Sequence, residues 1–157
     1  MIAVDVEKCT GCGVCELMCS FHHYGEFDPR KARITKTVFL HEEVAIPVLC
    51  QQCVDPPCAA VCRRGAITRV EDVRAGTVVV LVDPERCNGC KLCVAACPSG
   101  SIVVDEGCAE KCDLCGGDPQ CVKFCQRGAL RFKNVREGAQ ERRREVALKM
   151  LAAYREA

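Results

Sequence analysis

The sequence predicts an α+β fold of two nested modules, each made of paired cysteine loops and short β-hairpins, with a C-terminal helix appended. Three observations predict it. First, seventeen of the 157 residues are cysteine, and sixteen of these fall into four groups of four. The groups are Cys9, Cys12, Cys15 and Cys19; Cys50, Cys53, Cys58 and Cys62; Cys87, Cys90, Cys93 and Cys97; and Cys112, Cys115, Cys121 and Cys125. Second, the segment from Val4 to Cys12 recurs as Val82 to Cys90. Third, a glycine-led strand start follows each later group, at Gly65-Ala66-Ile67, Gly100-Ser101-Ile102 and Gly128-Ala129-Leu130.

Groups one and three read C-x2-C-x2-C-x3-C. Bacterial ferredoxins use this run to give three thiolates to one [4Fe–4S] cluster and the fourth to its neighbour. Groups two and four keep the flanking pairs but lengthen the middle gap to four and five residues. Val4-Asp5 and Val82-Asp83 read as a strand end and turn entering a cysteine loop, whose Gly11 or Gly89 permits unusual backbone angles. Residues 20–49 form an insertion: Phe21-His22-His23-Tyr24, a Pro29 turn, then a strand pair over Ile34–Leu40 and Val44–Leu49. Ile67–Val70, the polar turn Glu71–Gly76 and the β-branched run Thr77–Val82 read as a hairpin. Groups two and three with that hairpin lay out one whole bacterial-ferredoxin-like dicluster module. Only fourteen residues separate Cys97 from Cys112, too few to repeat the layout. Groups one and four are therefore expected to close a second module around the first.

The expected division is an outer module of residues 1–49 and 108–133, an inner module of residues 50–107, and a helical tail of residues 134–157. In the tail, Glu141–Tyr154 reads as a helix with Ala147, Leu148, Leu151 and Tyr154 on one face, expected to cover its own module, with docking to a partner subunit or a neighbouring copy as the sharper alternative. Arg142 to Arg144 stand at its start, where the helix dipole disfavours positive charge, so another contact is expected to hold them.

Nested cross-ligation would join Cys9, Cys12 and Cys15 with Cys125, and Cys112, Cys115 and Cys121 with Cys19. It would likewise join Cys50, Cys53 and Cys58 with Cys97, and Cys87, Cys90 and Cys93 with Cys62. Four [4Fe–4S] clusters are the expected cofactors. Zinc also favours tetrahedral sulfur but has no use for the third closely spaced cysteine. Cys108 is the odd thiol. With Cys112 and Cys115 it spells the C-x3-C-x2-C of radical S-adenosylmethionine enzymes, but only about forty residues follow, too few for their barrel. A half-buried free thiol is the expectation. His22 and His23 are candidates for contact with a cluster or a partner, or for a plain surface loop; His41 carries no signal. Arg63 and Arg64 follow Cys62 directly, where added positive charge and an extra N–H are expected to raise a cluster's potential.

Composition narrows the function further. Lys and Arg total 22 against 21 Asp and Glu, a net charge of +1 that leaves no basic footprint for nucleic acid. With no Trp, two Tyr and five Phe, a purely apolar core would be thin, so bound metal is expected to staple the fold. A secreted disulfide scaffold is disfavoured by the odd cysteine total and the repeating spacing. No run approaches the roughly eighteen apolar residues of a membrane span. The opening Met1-Ile2-Ala3-Val4-Asp5 runs straight into the first motif, so no signal peptide is expected and the expected address is a reducing cytoplasm. Neither a G-x-G-x-x-G, a Walker loop nor a nucleophile–base site is legible, which points to a carrier that is not an enzyme on its own.

The segment Cys50-Gln51-Gln52-Cys53-Val54-Asp55-Pro56-Pro57-Cys58-Ala59-Ala60-Val61-Cys62, followed by Gly65-Ala66-Ile67, resembles the four-cluster electron-transfer subunits of molybdenum and tungsten pterin enzymes. Certain hydrogenase and carbon monoxide dehydrogenase systems use similar subunits. The resemblance covers roughly residues 1–132, and its nested cross-ligation agrees with the pairing above. The family usually places Pro after each fourth cysteine; Pro98 keeps it, while Ser20, Arg63 and Gln126 replace it. The stretch from Cys19-Ser20-Phe21-His22-His23 to Ile34 looks like compact members that accompany tungsten-dependent aldehyde ferredoxin oxidoreductases. The resemblance implies a tungstopterin or molybdopterin catalytic subunit as electron donor. The implied acceptor is a flavin-containing NAD-linked subunit or another redox partner, with end-to-end self-association as a further option.

Overall fold

The computed structural model describes residues 1–72, 77–133 and 135–156. Its strands form four separate antiparallel pairs. The first and last strands of the cysteine-bearing region meet: β1 (Ile2–Val4) lies against β8 (Leu130–Phe132), with Ile2 opposite Phe132 and Val4 opposite Leu130. The Met1 ammonium donates to the Lys133 carbonyl at 2.9 Å, and the Lys133 N–H donates to the Met1 carbonyl at 2.8 Å. β2 (Ile34–Phe39) pairs with β3 (Val44–Leu49). In β3, Ala45, Pro47 and Leu49 are buried and alternate with half-exposed neighbours, the period of a strand with one face on a core. β4 (Ile67–Asp72) pairs with β5 (Thr77–Val82).

The fourth pair, β6 (Ile102–Asp105) with β7 (Cys108–Lys111), lies where the sequence reading placed no hairpin. Its turn is Glu106-Gly107, both at positive φ (46° and 83°), as a two-residue hairpin turn requires. The 107/108 division expected from sequence therefore falls inside this hairpin.

Each cysteine group has a helix that carries at least one of its thiols. α1 (Val14–Tyr24) packs on α4 (Gln120–Lys123), and α2 (Pro57–Ala60) packs on α3 (Leu92–Ala96). α1 carries Phe21, His22, His23 and Tyr24, which the sequence reading had assigned to an insertion loop. Nothing breaks the helix before Gly25, whose left-handed backbone caps it with an N–H to the Phe21 carbonyl.

α5 spans Val135–Glu156, starting earlier than the expected Glu141. Arg143 and Arg144 thus sit past its first turn, beyond the reach of the dipole penalty. Ala147, Leu148, Leu151 and Tyr154 are exposed, so α5 does not cover a module with that face. No described helix is long and apolar enough to cross a membrane.

Two apolar clusters fill the body. One gathers Ile2, Ile34, Leu49, Val79, Leu114 and Leu130 with Cys19, Cys50, Cys112 and Cys121. The other gathers Ile67, Val80, Ile102 and Ala109 with Cys58 and Cys93. Neighbouring residues of a strand point to opposite faces, so β5 sends Val79 into the first cluster and Val80 into the second.

Candidate metal centres

The structure collects three thiols of one group with the fourth of another. Cys9, Cys12 and Cys15 line one cavity of about 200 Å³ together with Cys125. Cys50, Cys53 and Cys58 share a second with Cys97, and Cys87, Cys90 and Cys93 share a third with Cys62. Cys19, Cys112 and Cys121 come together in the larger core, and the charges of Cys112, Cys19 and Cys115 would each raise the Cys121 thiol. The packed helices explain this exchange. Cys15 and Cys19 both ride on α1, so one turn of helix sends them to different sites, and Cys58 and Cys62 do the same across α2.

The donor sets fit iron–sulfur clusters. Each of the three cavities offers four thiols, and none is lined by a carboxylate. Lys8, Lys36 and Arg127 line the first and Arg64 and Lys91 the third, cations suited to an anionic group. Backbone N–H groups also reach the sulfurs: Arg33 to Cys19 at 3.3 Å, Ala66 to Cys62 at 3.3 Å, and Ala109 to Cys87 at 3.4 Å.

Packing brings neighbouring sites together. Cys15 of the first site packs against the core that holds Cys121 of the second. Cys112 of the second lies with Cys50 of the third. Cys58 of the third packs with Cys93 of the fourth. The exposed cysteines, Cys12 and Cys90, belong to the first and last sites.

Comparison with known proteins places the chain among iron–sulfur proteins. Residues 42–135 match the 4Fe-4S dicluster domain family, and residues 2–22 match the 4Fe-4S binding domain. The chain belongs to the 4Fe-4S dicluster domain family. One relative is the "aliphatic sulfonate oxidoreductase, polyferredoxin-like subunit" of Pyrococcus furiosus, 39% identical over 79% of this chain and 70% of its own length. The electron transport protein HydN of Escherichia coli is 36% identical over 94% of this chain and 97% of its own. The beta subunit of NADH-dependent phenylglyoxylate dehydrogenase from Aromatoleum evansii is 38% identical over 83% of this chain, which spans 29% of that subunit. A solved chain of the active-site complex BamBC of benzoyl-coenzyme A reductase aligns over 98% of this chain and 89% of its own at 23% identity, with a TM-score of 0.45. This dicluster protein is an iron–sulfur electron-transfer subunit of oxidoreductase systems and is not catalytic on its own.

The sites of the dicluster protein differ in their surroundings. Burial pushes the Cys112 thiol up to about 12 and the Cys15 and Cys115 thiols up to about 11. Cys121 is raised by the same cause, reinforced by its neighbouring thiols. Cys62 and Cys97 end up lowered. Burial raises both, but backbone N–H groups outweigh it, from Ala66, Ile67, Arg64 and Gly65 at Cys62. At Cys97 the donors are the Ser99 hydroxyl and the N–H groups of Ser101, Ser99 and Gly100. Arg63 is exposed, and its N–H is not among the principal donors to Cys62.

Beside the second site, the Arg33 guanidinium pairs with Glu110 and, at 2.9 Å, with Asp113. Asp113 Oδ1 also accepts the Cys115 N–H at 2.9 Å. His23 Nε2 lies 3.5 Å from Asp113. Burial pushes His23 down to about 4 against the pull of Asp113, so this contact joins a neutral imidazole to the carboxylate near neutral pH. His22 and His23 stand within 4.8 Å of Cys115, so two of the three sequence-read histidines reach a site; His41 is exposed and far along the β2–β3 turn. Cys108 lies beside Cys87 and apart from the Cys112–Cys115 pair, with its thiol aimed weakly at the Ala109 carbonyl at 3.6 Å. Arg33 and Asp113 were missed in the sequence because eighty positions separate them.

Proposed function

We propose that the sixteen grouped cysteines hold four [4Fe–4S] clusters in two nested modules, and that the chain relays electrons between a catalytic subunit and a second redox subunit. The observation that carries this reading is the gathering of four thiols in each of three cavities, each set drawing three from one group and one from another. When bound, such clusters supply one-electron reduction and reoxidation. The chain's own residues fix the spacing, seal Cys112 and Cys121 from water, and donate N–H groups to sulfur at Cys19, Cys62 and Cys87.

The proposed donor is a tungstopterin or molybdopterin subunit that oxidises aldehydes, and the proposed acceptor is a flavin-containing NAD-linked subunit or another redox partner, all in a reducing cytoplasm. The Pyrococcus furiosus relative adds sulfonates to the substrates worth testing. A hydrogenase or carbon monoxide dehydrogenase partner is the second reading, favoured by the resemblance of the Cys50–Cys62 segment.

The test is elemental analysis of a tagged copy isolated from its native host without oxygen. Four clusters give about sixteen irons per chain. Co-purifying tungsten or molybdenum supports the pterin partner, and nickel supports the second reading. Zinc in place of iron overturns both.

A further inference from the structure

Lys111 is 3% exposed, an unusual place for an ammonium. It stands directly before Cys112, and its Nζ donates to the carbonyls of Val80 and Cys112, the latter at 2.9 Å. Gln52 grips the same two residues. Its Oε1 accepts the Val80 N–H at 2.8 Å, and its Nε2 donates to the Cys112 carbonyl at 2.9 Å. Val80 is the residue of β5 that faces the smaller core, while its neighbour Val79 faces the larger one. The four residues therefore form a closed hydrogen-bonded junction between the two cores.

Among the described residues, no carboxylate pairs with Lys111. Two carbonyl dipoles accept from its ammonium but leave its charge uncompensated, and an uncompensated buried charge is strongly unfavourable. The groups flanking it are thiols. Val80, one carbonyl partner of Lys111, lines the cavity of Cys50, Cys53, Cys58 and Cys97 of the third site, and the other partner is Cys112 of the second. Cys50 and Cys112 lie together in the same core.

We propose that Lys111, held by Gln52, is a positioning residue whose ammonium is the fixed counter-charge of the two central sites. It raises the reduction potentials of the clusters held by Cys19, Cys112, Cys115 and Cys121 and by Cys50, Cys53, Cys58 and Cys97. The inference rests on the four-cluster reading above. Each one-electron reduction adds one negative charge, and a cation already in place in a poorly screened interior stabilises it with no proton taken up. Without Lys111, burial alone would disfavour that added charge at both sites.

The test uses the full chain, reconstituted anaerobically and titrated with dithionite and mediators while EPR follows each couple. In Lys111→Met, two of the four couples are expected to move to lower potential and the other two to stay. Lys111→Arg restores the original values. Gln52→Glu leaves Lys111 in place but sets a carboxylate against it, and the same two couples are expected to fall. It decides the matter should Lys111→Met fail to fold. Unmoved couples at full iron content, or an equal shift of all four, overturn the proposal. Iron far below about sixteen per unmodified chain instead overturns the four-cluster reading.

Discussion

The loops Cys9–Cys19 and Cys87–Cys97 have the same spacing and leave their last cysteine in different directions. Both hold a glycine at positive φ before the second cysteine, Gly11 at 69° and Gly89 at 65°. After the fourth cysteine they part. Pro98 pushes Cys97 out of the helical region, to φ −77° and ψ 113°, so α3 stops at Ala96. Gly100, at φ 62°, then turns the chain into β6. In the matching place, Ser20 allows α1 to continue. Its buried hydroxyl donates to the Leu17 carbonyl and accepts the Asp28 N–H, tying the helix to the segment that follows. The left-handed glycine arrives only at Gly25. That added turn carries His22 and His23 to Cys115 of the neighbouring site. The residue after the last cysteine thus decides whether a loop returns to a strand or reaches across to another site.

Replacing Ser20 by Pro should break this difference most severely. A proline inside α1 costs about 3 kcal/mol or more, and the thermal midpoint of the reconstituted protein is expected to collapse. Pro98→Ser should be far milder, and equal losses would sink the comparison. The two glycines come next. A Cβ at Gly89 would meet the Gly107 carbonyl oxygen at 2.7 Å, while one at Gly11 would meet the Ala45 Cβ at 3.0 Å. Both Ala variants bear left-handed strain of roughly 1 kcal/mol. Gly89→Ala is expected to lose clearly more in denaturant unfolding, because a backbone oxygen cannot swing aside.

Third is Glu16, whose counterpart in the other loop is Val94. Glu16 is 5% exposed and accepts both the Lys36 N–H, at 2.8 Å, and the Lys36 Nζ, at 2.9 Å. Importing the other loop's residue as Glu16→Val strands the Lys36 N–H, at a cost of about 1–3 kcal/mol. Glu16→Gln should recover part of it, which the same unfolding series would read. The smallest effect belongs to Lys8→Ala. Its pair with Asp5 is on the surface, so the midpoint should not move measurably.

Local spacing made much of this legible. The cysteine groups and the pairing of β4 with β5 were read directly, because their signals span a few residues each; of the expected turn Glu71–Gly76, Glu71 and Asp72 belong to β4 and residues 73–76 lie outside the described residues. The β6–β7 hairpin escaped because four-residue strands between two cysteine runs offer little alternation; its Glu106-Gly107 turn was the available signal. The early start of α5 was masked by Gly138, a weak helix former. Lys111 and Gln52 were beyond reach, since they meet Val80 from 31 and 28 positions away and only packing reveals that they share it.

The pairing of β1 with β8 has a consequence for the nascent chain. Synthesis runs from the N-terminus, and domains tend to fold in that order. Here β1 emerges first and waits for residues 130–132. The two thiol sets drawn from residues 50–97 have all their members once Cys97 is made. The set containing Cys19 waits for Cys121, and the set containing Cys9 for Cys125. The order in which the sets become complete therefore runs from the middle of the chain outward, and its earliest cysteines are the last to have their partner made.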